Sequence, residues 1–453
     1  MKHVTLDITN ILSKTIGDEG LDWALLLSVA AKVEEFKKTV YNNTPFPFMD
    51  FNLLRSHLKD IYKVGESIKG LNIKNLILLG IGGSSLGTET IFHALLDPLH
   101  NMERNKIGNA PRYFILDNID PHRIKRIAEL VKKENEETLL VVISKSGETP
   151  ETMSQFMVFK DILSTGKDYK KRIVIITDKN KGMLREIVKK EGYLSLPVPE
   201  GIGGRFSVLT PVGMFPAWIM GIDVKEILNG AQSMSEHIEN SDYKKNLAVI
   251  IASILYAMDK KGKIMHVMMP YCERLNAFAD WFRQLEAESL GKKGRGPTPL
   301  KSIGVTDQHS QLQLYIDGPK DKFITFLFCV NDSQPIPESI PYLEGLDYLA
   351  GKDMKELFRA EFLGTRRSLT EAKTPNITIT LDEINPFNIG ALFFLYEMVI
   401  TFMGFLYELN AFDQPAVELG KIYTKAIMGK KGLEEKRQII EQELTKERYI
   451  IEF

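Results

Sequence analysis

Four short apolar runs, each separated from the next by a stretch long enough for a helix, constrain the fold more than any other feature of the chain. They are NLILLG at 75–80, RYFILD at 112–117, TLLVVIS at 138–144 and RIVIIT at 172–177. In each run the apolar residues are continuous rather than alternating, which is typical of strands in a parallel sheet covered on both faces. The sequence therefore predicts an α/β/α sandwich in this part of the chain.

A second group of apolar runs predicts another sheet beyond residue 200. The segment PVPEGIGGRFSVLTPVG at 197–213 is rich in proline and glycine and marks a crossing point between domains. KIMHVMMP at 263–270, KFITFLFCV at 322–330 and NITIT at 376–380 predict strands. QLQLYI at 311–316 alternates like an edge strand but also fits a helix, so both assignments stay open.

The length of 453 residues exceeds what one hydrophobic core usually supports, so we expect two domains or one domain with large appendages. The predicted division has four parts. N-terminal helices at 1–70 pack on the larger domain, a smaller domain occupies 71–200, the larger one occupies 201–410, and C-terminal helices occupy 411–453.

Two further segments predict helices with large apolar surfaces. In residues 21–40, apolar side chains recur at steps of three and four, at Leu25, Val29, Val33, Phe36 and Val40. Residues 390–407 have Glu397 as their only charge. A membrane-spanning helix tolerates a central carboxylate poorly, so we expect a core helix and no membrane association.

The composition excludes several classes of function. A net charge of −1 and a pI of 6.7 do not favour a nucleic-acid binder. The only cysteines are Cys272 and Cys329, without a C-x-x-C pattern, so we expect neither disulfides nor thiolate metal sites. The first ten residues lack an apolar signal segment, and we expect a cytoplasmic location.

A run of hydroxyl residues, SKSGETPET at 144–152, follows the third apolar run. Thr149 precedes a proline, which predicts an N-cap followed by the first residue of a helix. Unpaired backbone N–H groups at that helix end, with the hydroxyls of Ser144, Ser146 and Thr149, suit a phosphate, and Gly147 allows close approach. An ordinary turn needs one hydroxyl, so three favour an anion site.

A second loop of the same kind, GIGGSSLG at 80–87, follows the first run. It resembles the dinucleotide pattern G-x-G-x-x-G, but Ser85 replaces the third glycine and no acidic residue follows about twenty positions later. A nicotinamide oxidoreductase is therefore disfavoured. Because the carboxyl ends of parallel strands share one edge, we expect both loops to line one crevice. Lys145 would supply a cation there, and we expect Glu148 to point outward.

Two pairs of polar residues stand at helical spacing. Gln284 and Glu288, within 280–296, are four residues apart and should share a helix face. Gln414 and Lys421 are seven apart, and a helix that begins at the intervening proline would point them in nearly the same direction. Each pair can face one ligand, while an isolated solvated Glu or Lys is the commoner case.

Two single residues have an open interpretation. Arg205 follows two glycines, so its guanidinium has room either to meet an anion or to form a structural ion pair. His309 is one of eight histidines, none of them in an H-x-H or H-E-x-x-H pattern, so we expect no metal site. A lone histidine is more often structural than catalytic.

Taken in order, these motifs resemble the glucose-6-phosphate isomerase (phosphoglucose isomerase) family in its shorter bacterial form with two sugar-isomerase (SIS) domains. The two long signatures are EGIGGRFSVLTPVG at 200–213 and FDQPAVELGK at 412–421, and GIGGSSLG, SKSGET and QLEAESLGK also match in order. The resemblance covers roughly residues 75–425. It implies an α/β fold with two SIS-type α/β/α sandwich domains, mainly parallel sheets, and N- and C-terminal helices.

The resemblance also implies a reaction without a cofactor or metal, in which glucose 6-phosphate and fructose 6-phosphate interconvert through a cis-enediolate. Glu288 would move a proton between C2 and C1, and Arg205 would stabilise the enediolate oxygen. His309 and Lys421 would open the sugar ring, with His309 supplied by the other subunit of a homodimer. The sugar phosphate would be held by Gly83, Ser84, Ser144, Lys145, Ser146, Thr149, Gly204, Gln284 and Gln414.

Two departures from the family pattern and three alternatives accompany this interpretation. Glu148 stands where many members have threonine, and Ser85 replaces an acidic residue. A bifunctional enzyme that also accepts mannose 6-phosphate would share the motifs. A non-catalytic sugar-phosphate-binding SIS protein could lack Glu288. Another sugar-phosphate isomerase on the same domain pair should lack the signatures that contain Arg205 and Lys421.

Overall fold

Two five-stranded sheets organise the fold in a computed structural model that describes residues 4–43, 46–102, 110–338, 345–446 and 448–452. The strands are β1 Val4–Asp7, β2 Asn75–Leu79, β3 Arg112–Leu116, β4 Thr138–Ile143, β5 Ile173–Asp178, β6 Leu194–Val198, β7 Met265–Tyr271, β8 Thr298–Lys301, β9 Lys322–Phe328 and β10 Asn376–Leu381. The first sheet has the order β3-β2-β4-β5-β6 and is parallel throughout. The second has the order β1-β10-β9-β7-β8, in which only β1 is antiparallel.

Sixteen α-helices lie in the described part of the chain. They are α1 Ser13–Ile16, α2 Trp23–Asn43, α3 Phe51–Ile68, α4 Leu86–Leu95, α5 Pro121–Lys133, α6 Pro150–Leu163, α7 Met183–Glu191, α8 Pro211–Ile219, α9 Val224–Asn240, α10 Leu247–Lys260, α11 Asn276–Leu290, α12 Leu312–Asp317, α13 Met354–Glu371, α14 Pro386–Leu406, α15 Glu418–Ile427 and α16 Glu434–Leu444.

The first sheet is buried on both faces, as its apolar runs predict. Ile77 and Leu140 pack in a cluster with residues of α5, α6 and α7. Leu78 and Val141, the next residue on each strand, point to the opposite face and are equally buried. Such double burial excludes alternation along the strand, because a polar residue would be buried on either side. The predicted α/β class with mainly parallel sheets is confirmed.

Three strands have no counterpart in the sequence analysis, namely β1, β6 and β8. Each has only four or five residues, and each lies at the edge of its sheet. Pro197 in β6 and Pro299 in β8 lack a backbone N–H and are tolerated at an edge. The ambiguous run at 311–316 is the helix α12, with Tyr315 buried.

The predicted helix at 21–40 is α2, but one member of its apolar stripe is wrong. Leu25 is 52% exposed, and the buried position is its neighbour Leu26, which lies with Ala30 and Val33 on the protected face. Lys37 fixes the helix further by donating to backbone carbonyls at the end of α9. The N-terminal segment predicted as helices also supplies β1, which pairs with β10.

The apolar helix α14 is long and apolar enough to cross a membrane, yet 89% of its most apolar window is buried inside the protein. It packs on α9 through two glycines. A Cβ on Gly390 would lie 1.9 Å from the carbonyl oxygen of Ile227, and one on Gly230 would lie 1.7 Å from that of Phe387. The helices thus touch through backbone atoms, as expected of the predicted core helix.

The chain divides into two compact units after Ala411. The first contains both sheets, and the second contains α15 and α16. The predicted domain boundaries at residues 70, 200 and 410 stay predictions.

Candidate functional site

The carboxylate of Glu288 and the guanidinium of Arg205 form the centre of the candidate site. Glu288 lies in the last turn of α11, and Arg205 lies in a 3-10 helix, Gly204–Phe206. Arg205 Nη1 donates to Glu288 Oε2 at 3.3 Å, and Gln284 Nε2 donates to Glu288 Oε1 at 3.3 Å. The Glu288 side chain is 29% exposed and that of Arg205 only 2%. Gln284 and Glu288 therefore share a helix face, as predicted, and the carboxylate keeps access to solvent.

Each of the three guanidinium nitrogens of Arg205 donates a hydrogen bond. Its Nε donates to Ser289 Oγ at 2.8 Å, and its Nη2 donates to the Ala411 carbonyl oxygen at 2.5 Å. Because a guanidinium is planar, acceptors on several sides fix its orientation. The ion pair with Glu288 is thus observed, and it aims a permanent cation at the place where the carboxylate would act.

Close contacts between glycines bring the loop after β2 to this pair. A Cβ on Gly83 would lie 2.2 Å from the carbonyl carbon of Gly204, and one on Gly82 would lie 2.7 Å from Gln284 Nε2. Gly82 also has φ of +58°, which side-chain-bearing residues rarely adopt. Ser84 ends a 3-10 turn, Gly82–Ser84, in this loop and is half-buried. The glycine loop of the first sheet therefore adjoins the arginine turn and the helix that carries Glu288.

The hydroxyl loop after β4 is organised by its own side chains. Ser144 Oγ lies 3.1 Å from Thr149 Oγ1 and accepts from the Gly147 N–H at 3.2 Å. Ser146 Oγ accepts from the Glu148 N–H at 3.3 Å. Thr149 is the N-cap of α6, as predicted, but its hydroxyl makes no capping bond, because it pairs with Ser144 instead.

Lys145 links the hydroxyl loop to the segment before Arg205. Its Nζ donates to the Ile202 carbonyl oxygen at 2.8 Å, and its own carbonyl accepts from the Asp178 N–H at 3.3 Å. Burial lowers the pKa of the Lys145 ammonium below its usual value, while the carboxylates of Asp178 and Glu200 oppose that shift. A phosphate beside this ammonium would restore its preference for the charged form.

The other two predictions about this loop concern Gly147 and Glu148. Glu148 is exposed, as expected from its charge. Gly147 has φ of +66°, and a Cβ there would lie 2.6 Å from the Leu184 backbone nitrogen. The glycine is therefore required by the packing of the loop on the start of α7, a contact that sequence reasoning missed.

The remaining predicted residues are His309, Lys421 and Gln414. His309 follows a 3-10 turn and is exposed. Lys421 and Gln414 belong to the second compact unit, where Lys421 Nζ donates to Glu418 Oε1 at 2.8 Å. A 3-10 turn, Pro415–Val417, follows Gln414, and the helix α15 begins only at Glu418, so the predicted α-helix does not begin at Pro415; the common direction of Gln414 and Lys421 stays a prediction.

A buried chain of polar groups anchors α11 to the second sheet. His266 Nδ1 lies 3.0 Å from Glu286 Oε1, and His266 Nε2 lies 2.9 Å from Thr325 Oγ1. All three residues are buried. Glu286 stands two residues before Glu288 and points to the opposite side of α11. These bonds fix the rotation of the helix about its axis and thereby the direction of Glu288.

Several contacting groups were missed by the sequence analysis. Ser289 accepts from Arg205 and is buried, and its position beside Glu288 is a signal that could have identified it. The carbonyl groups of Ile202 and Ala411 carry no side-chain signal at all. Within the described residues, no group of three or more His, Cys, Asp or Glu side chains is arranged to hold a metal ion.

Comparison with known proteins identifies the family of this chain. Residues 52–445 match the family described as phosphoglucose isomerase. The chain belongs to this family. Among curated relatives, glucose-6-phosphate isomerase of Carboxydothermus hydrogenoformans is 38% identical over 412 residues, which cover 88% of each chain. That of Rubrobacter xylanophilus is 38% identical, with 95% of this chain and 99% of the relative covered.

A solved structure agrees with the family assignment at the level of the fold. The crystal structure of a hypothetical protein from Thermus thermophilus superposes with a TM-score of 0.81 at 31% identity. The match covers 94% of this chain and all of the other.

Proposed function

We propose that this chain interconverts glucose 6-phosphate and fructose 6-phosphate, an aldose–ketose isomerisation of glycolysis and gluconeogenesis. The observation that carries the proposal is the contact of Arg205 with Glu288 beside the glycine loop, in a chain of the phosphoglucose isomerase family. Relatives that match most of its length bear the name glucose-6-phosphate isomerase.

The chemical step is a proton transfer between neighbouring carbons of the open-chain sugar. Glu288 removes the proton from C2 of the aldose and returns it to C1, for which a partly exposed carboxylate near the substrate is suited. The electron pair left behind forms the C1–C2 double bond, and the carbonyl pair moves onto O1, which gives the cis-enediolate; the proton on O2 passes to O1 before C1 is protonated. Arg205, already fixed by Ser289 and the Ala411 carbonyl, stabilises the enediolate oxygen without further reorganisation.

The phosphate of the substrate is the group by which the protein would bind and orient the sugar. Ser144, Ser146 and Thr149 stand at the N-terminus of α6, where backbone N–H groups and the helix dipole favour an anion. These hydroxyls bond to one another and to loop amides, and they can exchange these partners for phosphate oxygens. Binding the unreactive phosphate orients C1 and C2 toward Glu288. Gly83, Ser84, Lys145, Gly204 and Gln284 would line the space between these groups.

Ring opening is assigned to His309 and Lys421, with Gln414 as a further contact to the sugar. His309 is exposed, which suits a residue that acts in the site of a neighbouring subunit. We therefore propose a homodimer in which His309 crosses the interface. We also propose a cytoplasmic location, where sugar phosphates are metabolised, and no cofactor for the reaction.

The test is a direct assay. Protein treated with a chelator and then desalted is supplied with fructose 6-phosphate, and the formation of glucose 6-phosphate is measured through a coupled dehydrogenase. Mannose 6-phosphate is supplied in parallel to test the bifunctional alternative. Production of glucose 6-phosphate is the expected result, whereas binding of fructose 6-phosphate without turnover would favour a non-catalytic sugar-phosphate-binding protein.

A further inference from the structure

A cavity of about 970 Å³ opens between α3 and the segments that follow β5 and precede Ile202. None of the residues assigned to the reaction lines it. Its volume lies at the upper end of the range typical of small-molecule sites. The cavity is therefore a candidate for a ligand other than the substrate.

Basic groups from three elements face this cavity. Lys63 comes from α3, Lys179 and Lys181 from the segment after β5, and Arg185 from α7. In the described part of the chain, the ammonium groups of the three lysines make no hydrogen bond or close ion pair; all three residues are exposed, and the charge of Lys181 acts on Asp178. Both ring nitrogens of His57 are buried and are likewise without a hydrogen-bond partner among the described residues. Donors from separate elements that are not bonded to other protein groups can converge on an anion.

Three carboxylates also line the cavity, and one of them is already satisfied. Asp178 Oδ1 accepts from the backbone N–H groups of Asn180 and Lys181, so it shapes the loop. Asp60 and Glu200 are the other two. Four permanent or near-permanent cations thus stand against three carboxylates. A ligand with several phosphate groups suits this arrangement, because each phosphate group can accept hydrogen bonds from more than one cation.

The walls of the cavity are also the supports of the hydroxyl loop. A Cβ on Gly182 would lie 2.5 Å from the Ser146 carbonyl oxygen, so the segment after β5 packs directly on that loop. The Asp178 N–H donates to the Lys145 carbonyl oxygen. On the other side, Lys145 Nζ donates to Ile202, whose own N–H donates to the Pro199 carbonyl oxygen in the cavity wall. Both ends of Lys145 are therefore tied to walls of the cavity.

We propose that this cavity binds a small polyphosphorylated anion and that its occupation weakens the binding of the sugar phosphate. The negative charge of the ligand would compensate Lys179 and Lys181, which otherwise add to the positive potential beside the hydroxyl loop. The substrate KM would then rise to a plateau, by about fivefold, while kcat stays unchanged. This effect on KM rests on the proposed function, whereas binding to the cavity does not.

Inorganic tripolyphosphate serves as the probe, titrated calorimetrically at about 0.15 M salt, where nonspecific attraction is screened. An equilibrium mixture of the two sugar phosphates is present at saturation, so that the hydroxyl loop is occupied. The test variant is Lys63→Gln with Lys179→Gln. The control, Lys132→Gln with Lys189→Gln, removes the same charge from exposed positions outside the cavity.

We expect one tripolyphosphate per chain, binding at least tenfold weaker to the test variant and unchanged to the control. The test variant should keep its basal turnover and lose the plateau in KM. Absence of saturable binding to the wild-type chain, or equal binding to all three proteins, would overturn the site. A KM that rises linearly without a plateau in every variant would show competition at the hydroxyl loop and would overturn the coupling.

Discussion

Four parallel strands of each sheet share an order, but the two sheets carry different chemistry at their carboxyl ends. In each, the chain runs from an inner strand to one edge and then returns to the other side, so the loops after β2 and β4 correspond to those after β7 and β9. The first pair of loops presents glycines and the hydroxyls of Ser144 and Ser146. The second pair lines a cavity of about 590 Å³ with Glu273 and Asp332, joined by Glu383 after β10.

This difference shows that topology alone does not make a phosphate site. The switch point of each sheet offers a crevice. At the second, three carboxylates outnumber the two cations Arg274 and Lys355, whereas hydroxyls and helix N–H groups at the first would favour a phosphate. The second sheet contributes by another route. It positions α11, whose last turn places Glu288 beside the glycine loop of the first sheet.

The largest expected effect follows from removing the base. Glu288→Gln should lower kcat by about 10³-fold, because the amide cannot accept the proton, while the affinity for fructose 6-phosphate changes little. Glu273→Gln, an exposed carboxylate at the second sheet, is the matched control and should keep wild-type turnover. Steady-state kinetics and calorimetric binding measure both. Turnover within tenfold of wild type would reject Glu288 as the base.

The next effect tests the support that the second sheet gives to α11. His266→Ala should lower the free energy of unfolding by about 3 kcal/mol, because Glu286 is left buried without its hydrogen-bond partner. Urea unfolding measures the change, with the exposed His122→Ala as control. Adding Glu286→Gln should recover part of the loss. No recovery would mean that the buried carboxylate is not the cause.

A smaller effect distinguishes the two sets of loops. Ser146→Ala removes one hydroxyl from the proposed phosphate contacts and should raise the Kd for fructose 6-phosphate about tenfold. Ser333→Ala makes the same change in the cavity at the second sheet and should leave the Kd unaltered. Calorimetric titration of both variants tests the comparison. Equal losses would indicate that the hydroxyl loop has no special part in binding.

The smallest effect concerns pH. Because burial lowers the pKa of Lys145 below its usual 10.5, its ammonium loses its proton earlier than that of an ordinary lysine as the pH rises. Affinity for the sugar phosphate should fall with rising pH, by about twofold when the pH equals the pKa of the free protein. Lys145→Arg should keep its charge and flatten the profile of KM against pH. If the KM of Lys145→Arg rises with pH as much as that of the wild-type protein, another group causes the pH effect.

Much of the fold could be predicted from the sequence, because continuous apolar runs are typical of strands that are buried on both faces of a sheet. The sequence analysis missed β1, β6 and β8 because short edge strands need little apolar surface. For the candidate site, it identified Glu288, Gln284 and Arg205 from spacing and motif, and their contacts are observed. The carbonyls that hold Arg205 and Lys145 could not be predicted, because every residue has one and only the fold selects which is used.

The most direct test is a crystal structure of Glu288→Gln with bound fructose 6-phosphate, since this variant should bind but not convert the sugar. Phosphate oxygens should lie within hydrogen-bond distance of the hydroxyls of Ser144, Ser146 and Thr149. C1 and C2 should then lie beside residue 288 and Arg205. A sugar phosphate bound at the second sheet, or one whose reactive carbons point away from residue 288, would contradict this prediction.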